Sequence, residues 1–163
     1  MSIFIRGLFS KDLLVELSEK KIIIKTLGSG QKFEYEPYLA LKIAGKKAVL
    51  KGVGSEAKLQ SGTGIKVINP FSHPRSFVAD FYVAEKLIRH GLYEVHKSKF
   101  FKPAPRIIIH QLEKTEGGLT NIEERVLTEL ALGSGAREVA IYIGERLDSD
   151  RITFDEVKKK IAV

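Results

Sequence analysis

Cysteine is absent from this 163-residue sequence, which removes disulfides, thiolate catalysis and cysteine-ligated zinc together. A chain without cysteine suits a reducing cytoplasm. No apolar run approaches the roughly 20 residues needed to cross a bilayer. The opening segment from Met1 to Phe9 lacks the long apolar stretch and small-residue cleavage site of a secretory signal. Internal repeats and low-complexity tracts are also lacking. What is present is ordinary globular composition, with 44% hydrophobic and 29% charged residues. The length predicts a single domain, which at this size buries about two-thirds of the unfolded chain's surface. Twenty-seven Lys and Arg against 20 Asp and Glu leave a formal charge of +7. That excess favours an anionic partner: lipid headgroups, nucleic acid or an acidic protein face.

Strand signals dominate the first half. Branched, apolar runs at 13–17 and 22–27 flank Ser18-Glu19-Lys20-Lys21, a hairpin pattern whose turn lacks Asn-Gly or Gly-Gly chemistry. Alternating Phe33 and Tyr35, then the run 39–43, are separated by Pro37, which predicts two strand pieces. Further strands are expected at 46–50 and 65–68, with a helical turn at 55–59. Phe77, Phe81, Ala84, Leu87, Ile88 and Leu92 recur at helical spacing and predict a helix over 76–96, which Gly91 weakens by about 1 kcal/mol. Arg106 to Ile109 reads as a buried strand, and 139–143 as a second strand parallel to it at helix-crossover distance. Thr120 with Glu123 forms a capping-box signature for a helix over 121–132, stopped by Gly133-Ser134-Gly135. Thr153 with Glu156 repeats that spacing before a lysine-tailed helix. Hairpin strands followed by helix–strand–helix–strand describe an α/β chain with a mixed sheet and helices packed on it.

Few residues suggest chemistry of their own. His73, His90, His96 and His110 share no metal-ligand spacing, and His110 ends a buried strand, where it is hydrogen-bonded or faces a cleft. Asp148-Ser149-Asp150 reads as a surface turn. Gly28-Ser29-Gly30 and Gly52-Val53-Gly54 match neither a P-loop nor a dinucleotide fingerprint. Ile3, Phe4, Ile5, Leu8 and Phe9, with Arg6 and Lys11, form either an amphipathic segment at a bilayer surface or an edge packed on the core. Lysines at 46–47, 97–99 and 158–160 are scattered without a reading motif, so nucleic acid is not an expected partner.

An ordered series of segments resembles the bacterial actins of the rod-shape-determining MreB family. Arg6 to Leu13 looks like that family's opening, and Val78-Ala79-Asp80-Phe81-Tyr82-Val83-Ala84-Glu85-Lys86-Leu87 its long helix. Phe101 to Arg106, Ile122-Glu123-Glu124-Arg125 and Gly135-Ala136-Arg137-Glu138-Val139 continue the match in order. The resemblance runs from Arg6 to about Ile143. It implies an actin-like ATPase, ribonuclease-H-like fold, restricted to the first of the family's two large domains. The expected layout is a membrane-surface segment at 1–12, the actin-like domain at 13–145 with an inserted subdomain at about 31–69, and a C-terminal helix at 146–163.

The resemblance also implies where the family's chemistry would stand. Its first hairpin turn cradles phosphates and positions magnesium with an aspartate, a glycine and small hydroxyl residues. Here Glu16, Ser18 and Glu19 occupy those positions, and a carboxylate at Glu19 would repel phosphate. Glu16 retains the means to hold magnesium through water, and Lys20 or Lys21 to reach an anion. Thr120 and Glu123 align with the segment that positions the hydrolytic water, and a capping box explains the same pair without nucleotide. No cofactor is therefore expected, with ATP and magnesium the lesser reading. The resemblance implies a binding or regulatory module whose partners are a full-length bacterial actin filament and the anionic inner membrane face, with the oligomeric state left open. The alternatives are a residual or split nucleotide-binding actin-like protein and a basic polyanion or nucleic-acid binder.

Overall fold

The computed structural model describes residues 11–97 and 103–162. Ile3, Phe4, Ile5, Leu8 and Phe9 lie outside the described residues.

Two sheets are formed. The larger holds β1 (Leu13–Leu17), β2 (Ile22–Thr26), β3 (Lys32–Tyr35), β7 (Arg106–Gln111) and β8 (Glu138–Tyr142) in the order β3-β2-β1-β7-β8. β1, β7 and β8 are mutually parallel, and β2 and β3 extend the sheet antiparallel, as the mixed-sheet expectation requires. The smaller holds β4 (Leu39–Ala44), β5 (Lys47–Val53) and β6 (Ile65–Ile68) in the order β5-β4-β6. Pro37 falls between β3 and β4, where a missing amide costs neither sheet a hydrogen bond.

All five β1 residues are buried because both faces of the large sheet are covered. Leu13, Val15 and Leu17, with Ile22, Ile24, Ile107 and Ile109, pack against α2 (Phe81–His96) and α3 (Asn121–Ser134) through Leu87, Ile88, Leu127 and Leu130. On the opposite face Leu14, Ile108, Ala140 and Tyr142 meet Phe154 and Val157 of α4 (Phe154–Ile161). Arg106 fixes α4 at the strand entrance. Its guanidinium donates to both Asp12 oxygens at 2.9 and 2.7 Å and to Asp155 at 3.1 Å, and lies 4.6 Å from the centre of the Phe154 ring.

The long helix begins later than its apolar spacing suggests. Asp80 caps α2 by accepting from the Val83 amide at 3.0 Å, so 76–79 are not helical. Phe77 keeps its helical spacing to Phe81 but stacks on Phe71, with ring centres 4.9 Å apart and planes at 11°. Gly91 also has a packing reason that outweighs its poor propensity. A Cβ there would sit 2.4 Å from both the Ile24 Cδ1 and the Tyr35 hydroxyl. That hydroxyl donates to the Leu87 carbonyl at 2.5 Å. Helix α3 ends two residues beyond the expected stop: Gly133 is helical, and Gly135 at φ +118° supplies the left-handed cap.

Candidate functional site

The C-terminal ends of parallel strands collect the candidate residues, because there the backbone leaves the sheet and side chains converge. β1 ends at Leu17, and β7 leaves the sheet beside it with the Leu112 amide donating to the Leu17 carbonyl at 2.9 Å. The turn after β1 closes on itself. The Ser18 amide and the Ser18 hydroxyl each donate to the Lys21 carbonyl at 3.0 Å, and the Lys21 amide returns a bond to the Ser18 Oγ at 3.1 Å. Ser18 thus closes the turn through its side chain as well as its backbone.

The Glu19 amide donates to the Glu113 carboxylate at 2.9 Å, and the Glu19 carbonyl accepts from the Asn69 side-chain amide at 2.9 Å. Glu113 belongs to the loop between β7 and α3. In that loop Lys114 takes φ +55°, a left-handed conformation that costs a non-glycine residue about 1–2 kcal/mol. Tertiary bonds hold it there. Gln111, itself buried, donates its side-chain amide to the carbonyls of Glu113 at 2.8 Å and Lys114 at 3.3 Å. The Lys114 ammonium donates to the carbonyls of Phe71 and His73. The 18–21 turn, the 69–73 loop and the 111–114 loop are therefore one interlocked unit.

Glu16 lies deeper, fully buried on the face of β1 that carries Leu14. Lys25 reaches one of its carboxylate oxygens at 3.3 Å and Arg146 the other at 3.2 Å. Strand register sets Ile23, Glu16, His110 and Tyr142 in one row across the sheet. His110 is also fully buried. Its Nε2 donates to the Gly144 carbonyl at 3.0 Å, which assigns the proton to Nε2 and leaves Nδ1 without a partner among the described residues. The Tyr142 ring meets the imidazole edge-on at 4.8 Å.

Burial holds the His110 imidazole below the ordinary histidine value. The Arg146 and Lys25 charges push the same way, against the Gly144 hydrogen bond and the Glu16 charge. The unfolded chain then takes this proton more readily than the native one, so stability falls as pH drops through about 6.5 toward the lowered native value. His110→Gln is expected to flatten this part of the profile in thermal melts from pH 8 to 5. An unchanged slope would assign the acid sensitivity elsewhere.

Thr120 and Glu123 are brought together, as a complete capping box. The Thr120 amide and hydroxyl donate to one Glu123 oxygen at 2.7 and 2.8 Å, and the Glu123 amide donates to the Thr120 hydroxyl at 3.2 Å. The Thr120 amide, and secondly its hydroxyl, hold the Glu123 carboxyl below the usual range. A general base is better poised near the working pH, and this shift runs the other way. Thr120→Ala is expected to cost about 1 kcal/mol, roughly 2–4 °C in melting temperature. A small cleft of about 110 Å³ is lined by Phe77, Gln111, Glu123 and Val126.

The other candidates resolve locally. Lys21 pairs with Glu34 at 3.0 Å, and Lys20 makes no ion pair among the described residues. Asp148 caps its own turn by accepting from the Asp150 amide at 3.1 Å, and Asp150 accepts from the Gly30 amide at 3.0 Å. Among the described residues no group of three or more His, Asp or Glu is placed to hold a metal, and no helix is long and apolar enough to cross a membrane. Glu113 and Arg146 were not legible as site residues. They lie 94 and 130 positions from the residues they engage, and neither sits in a motif.

The family model for MreB/Mbl protein matches residues 10–147. The cell shape-determining protein MreB of Pasteurella multocida is 34% identical over 140 residues, covering 83% of this chain and 38% of that protein. MreB of Escherichia coli K12 is 33% identical over 139 residues, covering 82% and 38%. An uncharacterized protein of the same strain, YjaA, is 34% identical over 98 residues, covering 55% of this chain and 77% of its own. The chain thus spans 38% of the length of these MreB relatives. Among solved structures, MreB5 of Spiroplasma citri bound to ADP superposes with a TM-score of 0.64 at 18% identity, covering 83% of this chain and 38% of that one. A MamK double helical filament gives 0.54 at 18% identity, covering 82% and 41%. The fold is actin-like, and the chain belongs to the MreB/Mbl family of cell-shape cytoskeletal proteins.

Proposed function

We propose that this chain is a binding or regulatory module of the bacterial cell-shape cytoskeleton that keeps the actin-like framework without turning over nucleotide. The occupied first turn carries the reading. A polyphosphate needs open amides and a local excess of positive charge. Here the Ser18, Glu19 and Lys21 amides are bonded within the protein, and the partner on the Glu19 amide is itself an anion, Glu113. Glu16, the residue suited to magnesium, already has a cation on each oxygen. Glu123 is committed to its cap. The donor set therefore does not fit a magnesium–nucleotide complex, and no catalytic step is assigned to it.

In this reading residues 13–145 are the actin-like framework, the small sheet is its inserted part, and α4 closes the far face of the large sheet. Its partner is a filament of full-length bacterial actin, which a relative with the same framework can dock on or cap. Co-sedimentation with the full-length MreB of the same cell tests this. Enrichment in the pellet, or a saturable fall in polymer mass, is expected without added nucleotide on the module. No association at physiological salt, with anionic lipid present, would overturn it.

A further inference from the structure

The small sheet has one face of which the described chain covers only the base. Register places Lys42 between Val49 and Ile65, Lys47 beside Ala44, and Ala40 between Gly52 and Val67, all on the same side. The short helix α1 (Ser55–Lys58) shields only the base of this face. It lies so close that a Cβ on Gly52 would be 3.1 Å from the Ala57 nitrogen, and Ala40 and Ala57 are buried there. Beyond it Val49 is 49% and Val67 40% exposed, and Leu59, just after α1, is 82% exposed.

Charge is concentrated on the same sheet. Residues 39–68 contain six lysines and one glutamate, which is most of the chain's net +7. Lys58 pairs with Glu36, whereas Lys42, Lys46, Lys47, Lys51 and Lys66 make no ion pair among the described residues. The segment has no arginine, histidine or aromatic residue.

From this we propose that the Lys42–Val49–Val67 face of the small sheet is a contact surface for an anionic lipid bilayer. Unpaired ammonium groups interleaved with branched aliphatics match an interface where headgroup phosphates lie beside acyl chains. The composition disfavours the other anionic partners. Protein interfaces enrich arginine and aromatics and deplete lysine, and single-stranded nucleic acid is gripped by stacking on aromatic and guanidinium planes. The surface is separate from the occupied turn, so it stands or falls independently of the nucleotide question.

Vesicle co-sedimentation with the full chain tests the assignment. Binding is expected to phosphatidylglycerol-containing vesicles and not to pure phosphatidylcholine, and to weaken as salt is raised. Each surface lysine contributes about fivefold near an anionic membrane, so Lys42→Gln with Lys47→Gln is expected to weaken partitioning roughly 25-fold. Both side chains are exposed and unpaired, so an unchanged thermal melt checks the fold. The chain lacks tryptophan, and Val49→Trp installs a single reporter whose emission should shift to the blue on anionic vesicles. Unchanged partitioning of the double lysine variant would overturn the proposal and move any lipid contact to residues such as Phe4 and Phe9. Equal or tighter binding to duplex DNA or polyglutamate, or tryptophan emission that does not move while the protein binds, would overturn it as well.

Discussion

Phe154→Ala is expected to lower stability by about 3–5 kcal/mol, which for a chain of this size is a fall of roughly 10 °C or more in melting temperature. Phe154 is the largest fully buried side chain of the cluster it shares with Leu14, Ile108, Ala140, Tyr142 and Val157. Its ring also carries the Arg106 guanidinium, which links α4 to Asp12 at the entrance of β1. Truncation therefore removes apolar contact, leaves a cavity against the central strands and strips one support from a three-membered ion cluster. α4 is short and lysine-tailed, so its apolar hold on the sheet rests on Phe154 and Val157, beside the ion pairs of Asp155 with Arg106 and Lys158 with Glu138. Loss of α4 should expose Leu14 and Ile108 and promote association through that apolar face. Scanning calorimetry of the variant, with light scattering during the melt, checks both consequences. A drop of less than 2 °C would mean that α4 contributes little to the fold.

Glu16→Ala is expected to cost about 3 kcal/mol, with or without nucleotide present. Glu16 is fully buried between two cations, and removing one member of such a group leaves like charges without their counterion. Lys25 is only partly exposed, whereas Arg146 is largely in water and can turn away, so the loss falls at the low end of the usual range. The same substitution separates two roles for this residue. A magnesium-holding carboxylate would show its loss as a weaker stabilisation by nucleotide. A structural carboxylate shows it in the ligand-free melt, equally in both conditions. Melting Glu16→Ala in the presence and absence of magnesium and ATP decides between them.

Local signals were legible wherever the deciding partner lay within a few residues. Both capping boxes, the Pro37 break and the parallel pairing of β7 with β8 follow from short spacings and apolar runs. The start of α2 was not, because Phe77 continues the helical period while its ring is taken by Phe71. Gly91 looks like a weak point in a helix until Ile24 and Tyr35 are seen against it. The site divides in the same way. The altered residues Glu16, Ser18 and Glu19 stand out in sequence, and the repulsion expected from Glu19 is visible there. What actually fills the turn is Glu113, and what neutralises Glu16 includes Arg146. Both arrive through tertiary folding from loops with no motif, so no local pattern announces them.

Titration of the full chain with ATP and magnesium, followed by calorimetry and by melting temperature, tests the central claim most directly. A ligand at one hundred times its dissociation constant would add about 2.7 kcal/mol of stability, a rise of roughly 5–10 °C. The occupied turn predicts no saturable heat and no magnesium-dependent rise at millimolar nucleotide. Saturable, magnesium-dependent binding that Glu16→Ala abolishes would contradict it, and would mean that Glu113 leaves the Glu19 amide when phosphate arrives.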